Sequence, residues 1–243
     1  MNKKDLNIVV VGKDVSQADA YLSVDNALQL AANFSHIDLN VVYIDSHLVN
    51  ANNVKDLLSY ADGILVPGGF NYDGVEGMIL AINYARTNDI SFFGICLGMQ
   101  LTVIEYARNV AGLAYATSSE FAIEAEYKVI DRIPLLNNGV LREGVFFCKI
   151  KEGSLLNKCY QSLNVQEAFR HGYNFNNKYR TLLENKGLNI SASSNDDIYV
   201  EAVELTNHKF FVGVQFHPEQ TNVEKPHPLF LGFIEAAFKN RKQ

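Results

Sequence analysis

Ile90-Ser91-Phe92-Phe93-Gly94-Ile95-Cys96-Leu97-Gly98-Met99-Gln100 is the stretch from which the fold can be read. Its first half is an aromatic and β-branched apolar run, which predicts a buried strand over residues 90–95. Its second half opens an amphipathic repeat that predicts a helix over residues 98–110. Between them stands Gly94-x-Cys96-x-Gly98, a nucleophile flanked by glycines where a strand turns sharply into a helix. Side chains beside the nucleophile would clash in such a turn. The helix N-terminus favours a thiolate, and the backbone N–H of Leu97 would face a reacting carbonyl as an oxyanion donor. A small buried core cysteine is the alternative. The strand–turn–helix setting favours the nucleophile.

Working outward, strands are predicted over residues 7–11, 39–44 and 63–66, and helices over 17–32, 54–60 and 75–86. Strands apolar on both faces and separated by helices imply a parallel sheet covered on each side. Past residue 140 the pattern changes. Strand signals fall at 140–150, 164–173, 188–193, 198–205 and 210–216, with helices near 178–184 and 228–238. That excess of strands predicts antiparallel additions to the first sheet. The expected class is therefore α/β, with a mostly parallel central sheet, helices on both faces and antiparallel additions. Repeats, low-complexity tracts and Pro/Gly/Ser linkers are missing, so residues 1–243 are expected to form a single domain.

His217-Pro218-Glu219 follows the last strand signal. In extended chain, residues two apart share a face, so Glu219 can orient the His217 imidazole. A thiol nucleophile needs such a base, and the base needs a third group to hold its tautomer. In isolation a surface histidine would be the plainer reading, but Cys96 makes the pair a candidate triad. His36, His47, His171, His208 and His227 have no metal-ligand spacing, and no zinc site is expected. Neither phosphate-binding glycine loop is present. Cys148 and Cys159 lack the setting of Cys96 and read as structural. The net charge of −6 gives no electrostatic reason to bind nucleic acid or anionic lipid. No apolar run reaches the roughly 18 residues that would span a membrane. Three cysteines without framework spacing point to a reducing, cytoplasmic setting.

Taken together, GILVPGGFNYDGVEG (63–77), GICLGMQ (94–100), IEYARNVAG (104–112), Ser119-Glu120-Phe121, RHGYNFN (170–176) and GVQFHPE (213–219) resemble class I glutamine amidotransferases. Within that family they are most similar to the glutaminase domain of CTP synthases. The resemblance implies a flavodoxin-like core and no cofactor or metal. It implies attack by Cys96 on a glutamine side-chain amide, a γ-glutamyl thioester, release of ammonia and hydrolysis to glutamate. By position, Cys96 resembles the nucleophile, His217 the base and acid, Glu219 its orienter, and Gly69 and Leu97 the oxyanion donors. Gly68 would let the backbone approach the ligand closely. Gln100 and Glu120 match residues that hold the amino-acid part of glutamine, and Phe70, Arg170, Gly172 and Tyr173 fall in the segments that line its pocket.

The chain also departs from that pattern. It begins where an amidotransferase half would begin, so a synthetase domain is expected to be missing and CTP synthesis by this chain alone is not expected. The family's Arg-His-Arg-Tyr-Glu reads Arg170-His171-Gly172-Tyr173-Asn174, which puts glycine where an arginine would clamp the substrate α-carboxylate. Phe-Gly-x-Arg-Gly reads Phe70-Asn71-Tyr72-Asp73-Gly74, and no Met-Arg-Leu-Gly falls near residues 145–150. Activation by GTP is accordingly not expected. The leading expectation is hydrolysis of glutamine or another γ-glutamyl compound, with ammonia passed to a separate synthetase or ligase. A non-catalytic binding module with the same fold is the alternative from another class. Oligomeric state is not legible.

Overall fold

The computed structural model describes residues 5–13, 15, 21–133, 141–220 and 224–241. The first half alternates as β1 (Asp5–Gly12), α1 (Leu22–Phe34), β2 (Asp38–Asp45), α2 (Val54–Leu58), β3 (Gly63–Val66), α3 (Val75–Thr87), β4 (Ser91–Ile95) and α4 (Leu97–Asn109). The second half runs β5 (Thr117–Ser118), β6 (Lys128–Arg132), β7 (Arg142–Ile150), α5 (Leu155–Tyr160), β8 (Asn164–His171), β9 (Tyr173–Phe175), α6 (Arg180–Asn185), β10 (Asn189–Ser194), β11 (Val200–Glu204), β12 (Phe211–Val214) and α7 (Pro228–Asn240).

A nine-stranded sheet has the order β2-β1-β3-β4-β12-β11-β10-β7-β8. From β2 to β12 neighbouring strands are parallel; from β12 to β8 they are antiparallel. A small sheet, β5-β6-β9, lies apart from it. Because successive strand residues face opposite sides, β1 feeds two cores. Val9 and Val11 pack with the faces of α3 and α4, while Leu6, Ile8 and Val10 pack with those of α1 and α7. The aromatics divide in the same way. Phe92 packs against Phe211 with tilted rings on the first side, and Phe93 meets Phe230 and Phe233 on the second. Each such fully buried side chain is worth roughly 1.5–3 kcal/mol relative to exposure. Among the described residues no helix is long and apolar enough to cross a membrane.

The predicted elements of the first half are present within a few residues. The start of the expected 17–32 helix lies outside the described residues; from Leu22 onward it is helical. Val140 of the expected 140–150 strand likewise lies outside, and β7 begins at Arg142. The expected 164–173 strand is in fact two. β8 stops at His171, the chain turns at Gly172, and β9 joins the small sheet against β6. The short elements β5, β6 and α5 were not anticipated from sequence. Two to six residues carry too little periodicity to register.

Candidate active site

Three adjacent parallel strands end on one rim. The register pairs Val66 of β3 with Gly94 of β4, and Val214 of β12 with Ile95 of β4. The residues that leave those strands are Pro67-Gly68-Gly69, Cys96 and Gln215-Phe216-His217, so the topology delivers all three to one place. Cys96 N donates to Val214 O at 2.7 Å, which ties the turn to β12.

Cys96 sits at φ +51°, ψ −100° as the N-cap of α4. That conformation is sparsely populated for a residue with a Cβ and costs on the order of 1–3 kcal/mol. It persists because the glycines around it let β3, β4 and α4 close together. A Cβ on Gly98 would lie 2.1 Å from the Val66 carbonyl oxygen, and one on Gly94 would lie 2.8 Å from the Gly98 backbone. The sharp turn read from Gly-x-Cys-x-Gly is therefore present, and its physical basis is backbone-to-backbone contact.

His217 Nδ1 lies 2.7 Å from Glu219 Oε1, so it donates to the carboxylate, and Nε2 has no hydrogen-bond partner among the described residues. The chain does not remain extended as expected. Pro218–Gln220 forms a 3₁₀ turn, and the turn brings the carboxylate under the ring. His217 N also donates to Ala168 O at 2.8 Å, which docks the base on β8. Burial works against a charged imidazole, yet Cys96 and Glu219 outweigh it and raise the His217 pKa to about 10. Gly68 lies between the two groups. A Cβ there would meet His217 Cε1 at 3.0 Å and Cys96 Cβ at 3.5 Å. Gly69 lies beside Leu97 in the same way, with its Cβ position 3.2 Å from Leu97 Cδ2.

Gln100 is buried on α4 and donates from Nε2 to Tyr173 O at 3.0 Å and to Gln215 Oε1 at 3.2 Å. Glu120 Oε1 accepts from Asn71 N at 2.8 Å, which fastens the loop after Phe70; Phe70 itself is exposed, and the Lys13 ammonium donates to its carbonyl. Arg170 reaches the site only through its backbone. Its carbonyl is 3.9 Å from Cys96 Sγ, while its half-exposed guanidinium pairs with Glu143 at 3.7 Å. Gly172 forms no bulge within β8. Its carbonyl accepts from Ile133 N, and its Cβ position is 3.3 Å from Leu141 Cδ2.

Sequence reading missed the layer beneath the site. Arg142 is buried and pairs with the fully buried Glu201, Nη2 to Oε1 at 2.8 Å. It stacks on the rings of Phe146, Phe169 and Tyr199 at 4.5, 4.4 and 4.6 Å from their centroids. Arg142 Nη1 lies 3.2 Å from His171 Nε2, and His171 Nδ1 lies 2.8 Å from Tyr173 O. The imidazole therefore accepts at Nε2 and donates at Nδ1, as only the neutral form can. Burial, reinforced by Arg142 and His217, pushes its pKa down to about 3. A signal existed. Leu141-Arg142-Glu143-Gly144, just ahead of the 145–150 window, keeps the arginine and the glycine of Met-Arg-Leu-Gly. Among the described residues no cluster of His, Cys, Asp or Glu could hold a metal ion.

A family model described as glutamine amidotransferase class-I matches residues 17–236. A CTP synthase from Staphylococcus haemolyticus is 46% identical over 244 residues, which is 98% of this chain and 46% of the relative. One from Trichormus variabilis is 47% identical over 241 residues, 97% of this chain and 44% of the relative. The chain thus spans less than half the length of these curated relatives. The glutaminase domain of Trypanosoma brucei CTPS, solved with bound acivicin, superposes with a TM-score of 0.92 at 35% identity, covering 98% of this chain and 96% of that one. A glutamine amidotransferase from Thermotoga maritima shares the fold at a TM-score of 0.57 and 13% identity.

Proposed function

Since this chain belongs to the glutamine amidotransferase class-I family, we propose that it hydrolyses a γ-glutamyl amide through a γ-glutamyl thioester on Cys96. The observation that carries this reading is the convergence of a strained Cys96 with His217, whose Nδ1 is bonded to Glu219. In the proposed cycle Cys96 Sγ, as the thiolate, attacks the amide carbon, and the N–H groups of Gly69 and Leu97 receive the developing oxyanion. His217 gives its Nε2 proton to the departing nitrogen as the C–N bond breaks, releasing ammonia. Water then attacks the thioester while His217 takes its proton. The C–S bond breaks, the acid is released, and the thiolate–imidazolium pair returns. Glu219 holds the imidazole in the tautomer that keeps Nε2 toward the sulfur. Ammonia passes to a synthetase or ligase in this reading.

The substrate is narrowed by Gly172. An arginine fork would clamp an α-carboxylate through two charge-assisted hydrogen bonds. At Gly172 there is no fork, Leu141 stands over the position, and the Arg170 guanidinium is engaged elsewhere. Loss of the fork costs on the order of 2–4 kcal/mol, or roughly 30- to 1000-fold in affinity. Free glutamine is therefore a weak substrate, and a γ-glutamyl-type amide with its α-carboxylate absent or masked is a better one. Ammonia release is to be measured from glutamine and from 4-aminobutanamide, which is glutamine without that carboxylate, with the wild type and Gly172→Arg. The wild type should favour 4-aminobutanamide, and the arginine should reverse the preference. A wild-type Michaelis constant for glutamine below about 1 mM, not improved by the arginine, contradicts the narrowing and leaves Lys13, at the same rim, as the cation to test. No ammonia from either compound would favour the binding-module alternative.

A further inference from the structure

Gln215 lies between the sequence motif's strand and its histidine, and neither the triad nor the oxyanion donors use it. Its side chain is fully buried, so each of its polar atoms needs a partner inside the protein. An amide's nitrogen and oxygen look alike, so their identities follow from the bonding network. Here the network has an end that cannot flip, the backbone carbonyl of Tyr173. The Gln100 atom 3.0 Å from that oxygen must be a donor, hence Nε2. The same nitrogen lies 3.2 Å from Gln215, and the atom it meets must be an acceptor, hence Oε1. Gln215 Nε2 is thereby directed at Cys96 Sγ, 3.7 Å away. Among the described residues that sulfur is the acceptor for this buried N–H.

The fixed carbonyl is itself held. His171 Nδ1 donates to Tyr173 O, Arg142 donates to His171 Nε2, and Glu201 neutralises Arg142. A continuous buried chain thus runs Glu201–Arg142–His171–Tyr173 O–Gln100–Gln215–Cys96. We propose that Gln215 is a further catalytic residue, donating an amide N–H to the Cys96 thiolate both before attack and when the thioester collapses. His217 and Gln215 would then supply separate donors to one sulfur. The thiol form has a different partner, the Arg170 carbonyl at 3.9 Å, which can accept an S–H but offers a thiolate nothing. The charged and titratable groups gathered around the sulfur are His217 with Glu219 behind it, and His171, Arg142 and Glu201 in the layer beneath.

This inference deepens the proposed cysteine chemistry and is tested without turnover. Iodoacetamide labelling of Cys96 is to be followed by peptide mapping between about pH 5 and 9, with melting curves, in wild type, Gln215→Leu and Gln215→Glu. Loss of a hydrogen bond to a charged group should slow labelling of Gln215→Leu about tenfold at neutral pH and displace the acid limb of its rate profile upward by about one pH unit. Gln215→Glu keeps the shape and the bond from Gln100 but brings a carboxylate to the sulfur, so its limb should move further. Where a variant turns over substrate, kcat should fall more than KM rises. An unchanged labelling profile in folded Gln215→Leu overturns the proposal. If Gln215→Leu does not fold, an unchanged profile in Gln215→Glu overturns it equally. A displaced limb in a protein that releases no ammonia would leave the hydrogen bond from Gln215 to the thiolate standing and sink the proposed turnover alone.

Discussion

At the scale of residues, the account rests on who can hold a proton near Cys96. His217 is protonated at Nδ1 toward Glu219, and among the described residues its Nε2 has no hydrogen-bond partner. A group that moves the proton matters more than one that orients it. His217→Ala should lower turnover by about 10³-fold or more, whereas Glu219→Gln should leave a measurable residual rate because the ring still packs in place. Steady-state ammonia release from the two variants checks this, and full activity in His217→Ala would remove the triad. The residues of the proposed triad could be picked out from sequence, because Gly94-x-Cys96-x-Gly98 and His217-Pro218-Glu219 each carry a local pattern. Arg142 left a trace in Leu141-Arg142-Glu143-Gly144, but the network it forms with His171, Glu201 and Gln215 was not legible. The contacts Arg142–His171, Arg142–Glu201 and Gln215–Cys96 join residues 29, 59 and 119 positions apart in the chain, and no local spacing encodes such contacts.

At the scale of elements, the active rim depends on how closely α4 approaches β3. Gly98 makes that approach possible, since any Cβ would overlap the Val66 carbonyl, an atom of fixed backbone. Gly98→Ala should therefore destabilise by about 3 kcal/mol, although alanine is the better helix former. A urea midpoint unchanged from wild type would show that β3 and α4 can separate at little cost. The parallel half was readable because its central strands β3 and β4 are closed, fully buried runs between glycine or polar breaks. The second half was harder for a physical reason. The Gly172 turn passes the chain from the large sheet to the small one. The apolar pattern continues across it, so the two strands read as one.

At the scale of the whole molecule, the buried layer under the site makes folding sensitive to acid. His171 has a folded pKa of about 3 against 6.5 as its ordinary value. Between those values the unfolded chain binds a proton that the folded one refuses, so stability is complete above about pH 6.5 and is lost as pH falls toward 3. The loss attributable to this group is on the order of 5 kcal/mol. His171→Gln should unfold with a shallower pH dependence between about pH 6.5 and 4, measured by urea titration at each pH. An identical slope would mean that the neutral imidazole is not what the folded state requires.

The most direct measurement is mass spectrometry of the protein quenched in acid during turnover of the better γ-glutamyl-type amide. The account predicts one acyl group, carried on the Cys96 peptide as a thioester. Cys148 and Cys159 should carry none, since burial pushes both thiols above their ordinary value, Cys159 to about 11. Ammonia release with all three cysteines unmodified, or with the acyl group on Cys148 or Cys159, would contradict it.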